Sequence, residues 1–129
     1  MKPINKMTDA EIIRELAEDA MGYSEVPSPT GHATLYNDGS GDKDKDYFLW
    51  NPSTNANDML MLVNAMENKG FIFAIHTWSS TDKPNGKTVD IWCPSVSSKP
   101  TRGYGPDFKR TICLAALKAL RAMKENTNE

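Results

Sequence analysis

Eight consecutive residues, Phe71-Ile72-Phe73-Ala74-Ile75-His76-Thr77-Trp78, constrain the fold more than any other stretch of the chain. Successive side chains on a strand point to opposite faces, so Phe71, Phe73 and Ile75 share one face while Ile72, Ala74 and Trp78 share the other. Both faces are apolar. Such a strand is expected at the centre of a sheet covered above and below, which predicts three layers. Asp82-Lys83-Pro84-Asn85-Gly86 supplies the turn of a hairpin, and Lys87 to Cys93 returns with Val89, Ile91 and Cys93 facing inward. The expected class is α+β: a three-layer α/β/α sandwich with a small, mainly antiparallel sheet between helices.

Three helices flank this hairpin. After a short polar lead from Met1 to Met7, Thr8-Asp9-Ala10-Glu11 has the form of a capping box. Ile12, Leu16 and Ala20, with Ile13, Ala17 and Met21 one position on, then make an apolar face that Gly22 terminates. Asn55 caps a second helix whose stripe is Met59, Leu62, Val63 and Met66, ending at Gly70. Asp107 caps the last, where Phe108, Ile112, Cys113, Ala115, Ala116, Leu117, Ala119, Leu120 and Met123 form a band wide enough to lie across a sheet. Between these elements, Tyr23 to Tyr36 is irregular or edge strand, and Asn37 to Gly41 is a turn continued by a solvated tip, Asp42 to Asp46. Tyr47 to Trp50 is a short aromatic strand, and Ser95 to Pro106, rich in Ser, Pro and Gly, is a long loop.

A chain of 129 residues with 39% hydrophobic content suits one domain over 1–129, with a flexible lead at 1–7 and a frayed tail at 125–129. Its net charge of −2 argues against a partner such as polymeric nucleic acid. The apolar runs are far shorter than a membrane span or a secretory leader needs, so a soluble protein of the cytoplasm is expected. The two cysteines, Cys93 and Cys113, lie within apolar patterns that favour reduced thiols, with a bridge between them left open.

Three segments together resemble a known family: Met21-Gly22-Tyr23, Trp50-Asn51-Pro52-Ser53-Thr54, and Arg110-Thr111-Ile112-Cys113-Leu114-Ala115-Ala116-Leu117-Lys118-Ala119-Leu120. They resemble the phage ABA sandwich domain of small phage and prophage proteins, over nearly the whole chain. The resemblance implies a helix-sheet-helix sandwich and a bacteriophage origin, hence a host-cytoplasmic location. It implies no activity, and its motif residues are of packing and capping type.

Few residues of the sequence have the spacing that a metal or catalytic site needs. His32, His76, Cys93 and Cys113 match a zinc set by count, but they lack the close pairs such sites use. Asp42, Asp44 and Asp46 alternate like a calcium loop, yet Tyr47 stands where the turn glycine belongs and Ser53 where the closing carboxylate belongs. No catalytic constellation, metal site or cofactor is therefore expected, and the protein is expected not to be an enzyme. Charge is more informative. Residues 1–50 hold 5 basic and 10 acidic side chains, whereas 83–124 hold 9 basic and 2 acidic. Either the acidic and basic faces pair within the fold or between subunits, or Lys99, Arg102, Lys109 and Arg110 surround an anion near the helix led by Asp107. Trp78, Trp92 and Tyr104 lie nearby in sequence and suit the stacking of a base. Those seven residues are the expected ligand site. The function expected is sequestration of a small anionic, nucleotide-like host defence signal by a homo-oligomer, with docking on a host or phage protein as the alternative.

Overall fold

The first helix begins where the capping box places it. In the computed structural model, which describes residues 2–26, 34–38, 48–78, 86–94 and 99–127 without the side chains of Trp78, Asn126 and Thr127, Thr8 Oγ1 accepts from the Glu11 amide and the Glu11 carboxylate accepts from the Thr8 amide. This starts α1, Asp9–Leu16. The chain continues into a π-helical turn, Ala17–Met21, and ends at Gly22, whose φ of 72° is the left-handed conformation that glycine adopts without strain. In the lead, Ile4–Lys6 forms a 3-10 turn, and Ile4 and Met7 pack on the core.

Two short strands follow, β1 (Ser24–Val26) and β2 (Leu35–Asn37), paired antiparallel. Of the expected aromatic strand Tyr47 to Trp50, Tyr47 lies outside the described residues and Phe48 forms an antiparallel bridge with Tyr36. Trp50, 3% exposed, anchors edge-to-face contacts with Tyr23 and Tyr36. Asn51 then shapes the turn into α2, Ala56–Asn68: its Oδ1 accepts from the Ser53 amide and hydroxyl, and its amide donates to Asp58. Asn55 caps that helix through the Asp58 amide at 3.0 Å. At its far end Lys69 donates to the carbonyls of Asp19 and Ala20, at 3.1 and 2.7 Å.

The main sheet has the order β3 (Ile72–Trp78), β4 (Gly86–Trp92), β5 (Thr101–Gly105), antiparallel throughout. β5 corrects the expectation of a loop from Ser95 to Pro106. Its glycines mark close packing rather than a turn, because a Cβ at Gly103 would stand 3.0 Å from Ala115 Cβ and 3.1 Å from the Thr111 carbonyl oxygen. The absent side chain lets α3 (Phe108–Thr127) lie against the strand. The helix runs through Thr127.

The α+β class and the small antiparallel sheets are as expected, but β3 is not central. It sits at one edge of its sheet. α3 covers the face bearing Val89, Ile91 and Gly103, and α1 and α2 pack against α3. The other face carries Ile72, His76, Arg102 and Tyr104 in exposed positions. The two-sided apolar pattern of β3 therefore reflects an edge whose second face has no helix over it among the described residues. Residues expected to form the 37–41 turn, the 42–46 tip, the 82–86 turn and part of 95–106, and also His32, lie wholly or partly outside the described residues.

The core joins all these elements. Leu16 of α1, Leu62 and Met66 of α2, Phe71, Val89 and Ile91 at the sheet, and Ile112 and Leu117 of α3 are fully buried in one cluster. At its edge Arg121 donates to both Glu15 carboxylate oxygens at 2.7 Å and to the Lys2 carbonyl at 2.7 Å. These bonds hold the Glu15 carboxyl below the usual carboxylate range.

Two stability outcomes follow from this packing. Arg121→Met leaves Glu15 largely buried without its partner and is expected to cost about 3 kcal/mol in urea denaturation, much of which the added Glu15→Leu restores. Gly103→Ala is expected to cost about 1–3 kcal/mol, because its Cβ meets backbone atoms that cannot turn aside. An unchanged urea midpoint for Gly103→Ala contradicts the close approach of α3 to β5.

Candidate functional site

α3 repeats one kind of position every four residues at Arg110, Leu114 and Lys118, which places all three on one side of the helix. That side faces a groove of about 350 Å³. The opposite wall is the lead, through Ile4, Asn5 and Met7, with Ile12 of α1 at its base. The edge of β5 at Gly103 and Tyr104 closes one end. Charged groups among the lining residues are Arg110 and Lys118, both cationic. Arg110 is held by Asp9, at 2.9 Å from Nη2 and 3.2 Å from Nε, and Lys118 donates to the Arg102 carbonyl at 2.9 Å. Both are exposed and partly satisfied, so an anion entering here shares them with existing acceptors.

The seven expected ligand residues do not converge. Trp92 and Trp78 stand at opposite ends of the β3–β4 ladder, opposite Ile72 and Gly86 respectively, which separates them by about 20 Å of strand. Lys99 precedes β5 and is exposed; Lys109 is half-buried in the first turn of α3. Arg102, expected to be a free loop side chain, lies on β5 and grips Asp90 of β4 with Nε and Nη2, at 2.7 and 3.1 Å. Asp90 is only 4% exposed, and these bonds hold its carboxyl below the usual range. The correction has a plain cause: Arg102 sits directly across the ladder from Asp90, so the nearest anion is internal. Tyr104, 71% exposed, and Arg110 are the expected residues that the groove does bring together.

Sequence reasoning missed Lys118, because it lies inside a helical segment whose other residues are mostly packing. The four-residue step from Arg110 through Leu114 was the available signal. It also missed the lead, whose Ile4 and Met7 are spaced as one helical turn.

A second cavity, of about 370 Å³, lies between α1 and the Trp50 turn, lined by Asp9, Tyr36, Trp50 and Asn51 among others. Asp9 is the charge among its lining residues, which suits it poorly to an anion. Beside it the Trp50 indole nitrogen is buried with no hydrogen-bond partner among the described residues. The thiols lie elsewhere and are free: Cys93 donates to the Ala119 carbonyl at 3.4 Å, and burial pushes Cys113 up to about 12. His76 is exposed on the open face of β3.

Comparison with known proteins adds no relative: no family model matches the chain, and no curated protein or solved structure matches it significantly.

Because Asp90 is buried and Arg102 is its partner, Arg102→Ala is expected to lower the melting temperature, the exposure of the guanidinium keeping the loss modest. Thermal melts of Arg102→Ala beside Asp90→Asn/Arg102→Ala separate the two cases, since the double variant regains stability only if the stranded carboxylate is the cause.

Proposed function

We propose that this is a non-enzymatic bacteriophage protein of the phage ABA sandwich type that binds and sequesters a small anionic, nucleotide-like host defence signal in the host cytoplasm. The observation that carries the ligand class is the groove, where two cations, Arg110 and Lys118, flank an apolar floor of Ile12 and Leu114 beside exposed Tyr104. Such a floor takes the flat face of a base, and the cations take phosphate oxygens as charge-assisted acceptors. A volume of about 350 Å³ is near the small end of ligand pockets, fitting a mononucleotide-sized portion of a larger signal. The resemblance of the Trp50-to-Thr54 and Arg110-to-Leu120 segments supplies the phage context. Sharing of the ligand between copies of a homo-oligomer belongs to the same reading.

A second reading, docking on a host or phage protein, draws on the open face of the main sheet, where Ile72 and Tyr104 are well exposed.

The test is incubation with a panel of cyclic oligonucleotides and cyclic ADP-ribose isomers, followed by heat release and mass spectrometry. One member is expected to bind and to be returned chemically unchanged, and Arg110→Ala and Lys118→Ala are each expected to weaken it about ten- to a hundredfold in calorimetric titration. Absence of binding at micromolar concentration, with a co-purifying protein and an empty groove, favours docking instead. Recovery of an altered nucleotide makes the protein an enzyme.

A further inference from the structure

The two edges of the main sheet are built differently. β5 carries the features that keep an edge from pairing: it is short, Pro100 and Pro106 bracket it, and Arg102 projects from it with its carbonyl already taken by Lys118. β3 carries none of them. It is seven residues long, fully paired to β4 in regular register, and contains no proline, glycine, lysine, arginine or carboxylate. No described segment pairs with its outer side. Ile72 on one face and Ile75 on the other are 64% and 44% exposed, so apolar surface borders that edge above and below.

We infer that the β3 edge is a self-association surface, on which a second copy of this chain places its own β3 antiparallel to join two three-stranded sheets into one of six. The occupant is set by what the edge offers. Alternate residues of an edge strand turn backbone N–H and C=O groups outward, and only another extended backbone satisfies such a row in register. Among the described residues the chain itself supplies one long unguarded edge, and an uncharged strand meets its own copy without like-charge repulsion. A twofold axis at Ile75, the middle residue, sets Ile75 against its own copy, Ala74 against His76, Phe73 against Thr77 and Ile72 against Trp78, which pairs every residue of the strand.

The area sets the strength. A strip about 24 Å long and roughly 10 Å thick covers on the order of 300–500 Å² per copy, below the about 800 Å² of a standard stable interface. The dimer is therefore weak and concentration-dependent. The groove lies at the β5 edge, away from β3, so failure of this inference removes the sharing of ligand between copies through β3 but leaves the binding of an anion in the groove to be decided by its own titration.

Sedimentation velocity over about 10 to 500 µM is expected to show wild type passing from monomer to dimer. Ile75→Lys and Ile75→Glu are each expected to remain monomeric throughout, and an equimolar mixture of the two to dimerise again, because position 75 meets itself only at this interface. Wild type provides a check that needs no folded variant: hydrogen exchange at the two concentrations is expected to slow at alternate amides of 72–78 and to stay constant at 101–105. A monomer at every concentration overturns the inference, as does a dimer whose protection appears away from β3 or that survives Ile75→Lys.

Discussion

One guanidinium organises the side of the molecule on which the groove lies. Arg121 projects from the last helix and binds Glu15 of the first helix with two nitrogens and the carbonyl of Lys2 with the third. Three segments far apart in sequence are thereby fixed at one point: the lead, α1 and α3. These are the walls of the groove, since Ile4 and Met7 belong to the first, Ile12 to the second and Leu114 to the third. A planar fork with fixed donor directions does this where a lysine would not, because only the fork sets two helices and a backbone carbonyl in one plane. The same pair is nearly buried, so its value lies in fixing register as much as in net stabilisation.

The charge asymmetry of the chain has a structural outlet. Asp9, Glu15 and Asp19 lie in order along the first helix and its π-turn, and Arg110, Arg121 and Lys124 lie in the same order along the last; each acid pairs with the corresponding base. The acidic beginning and basic end of the sequence thus recognise one another over about a hundred residues. Lys99, Arg102, Lys109 and Arg110 were expected to attend a common anion; two of them, Arg102 and Arg110, have carboxylate partners within the fold.

What was legible beforehand was local. The Thr8 box, the Asn55 cap, the Gly22 stop and the apolar band of α3 depend on residues within a turn or two of one another, and periodicity exposes them. β5 was hidden because Pro100, Gly103, Gly105 and Pro106 carry the same signal as a loop; that two of them make room for a helix is visible only once α3 is in place. The edge position of β3 was hidden for a related reason, since an exposed apolar edge and a buried central strand share one alternation. Of the ligand residues, Tyr104 and Arg110 reach the groove, whereas Trp78 and Trp92 are separated by a register that the hairpin alone determines. Their nearness in sequence to the basic residues carried no information about nearness in space.

The junction at Lys69 has a further electrostatic meaning. The π-turn that closes the first helix leaves the carbonyls of Asp19 and Ala20 to the ammonium of Lys69, itself the closing residue of α2, while Lys124 from the last turn of α3 takes the Asp19 carboxylate. Three helices thus bring their C-terminal ends toward one small region, and each end carries the negative pole of its macrodipole. Left alone, these like poles repel. Two ammonium groups offset them, Lys69 on the carbonyls that close the first helix and Lys124 on the Asp19 carboxylate, so cations add to the apolar contacts of Ala20, Met66 and Leu120 in holding this corner, and neutralising Lys69 leaves the end of the first helix without its counterion.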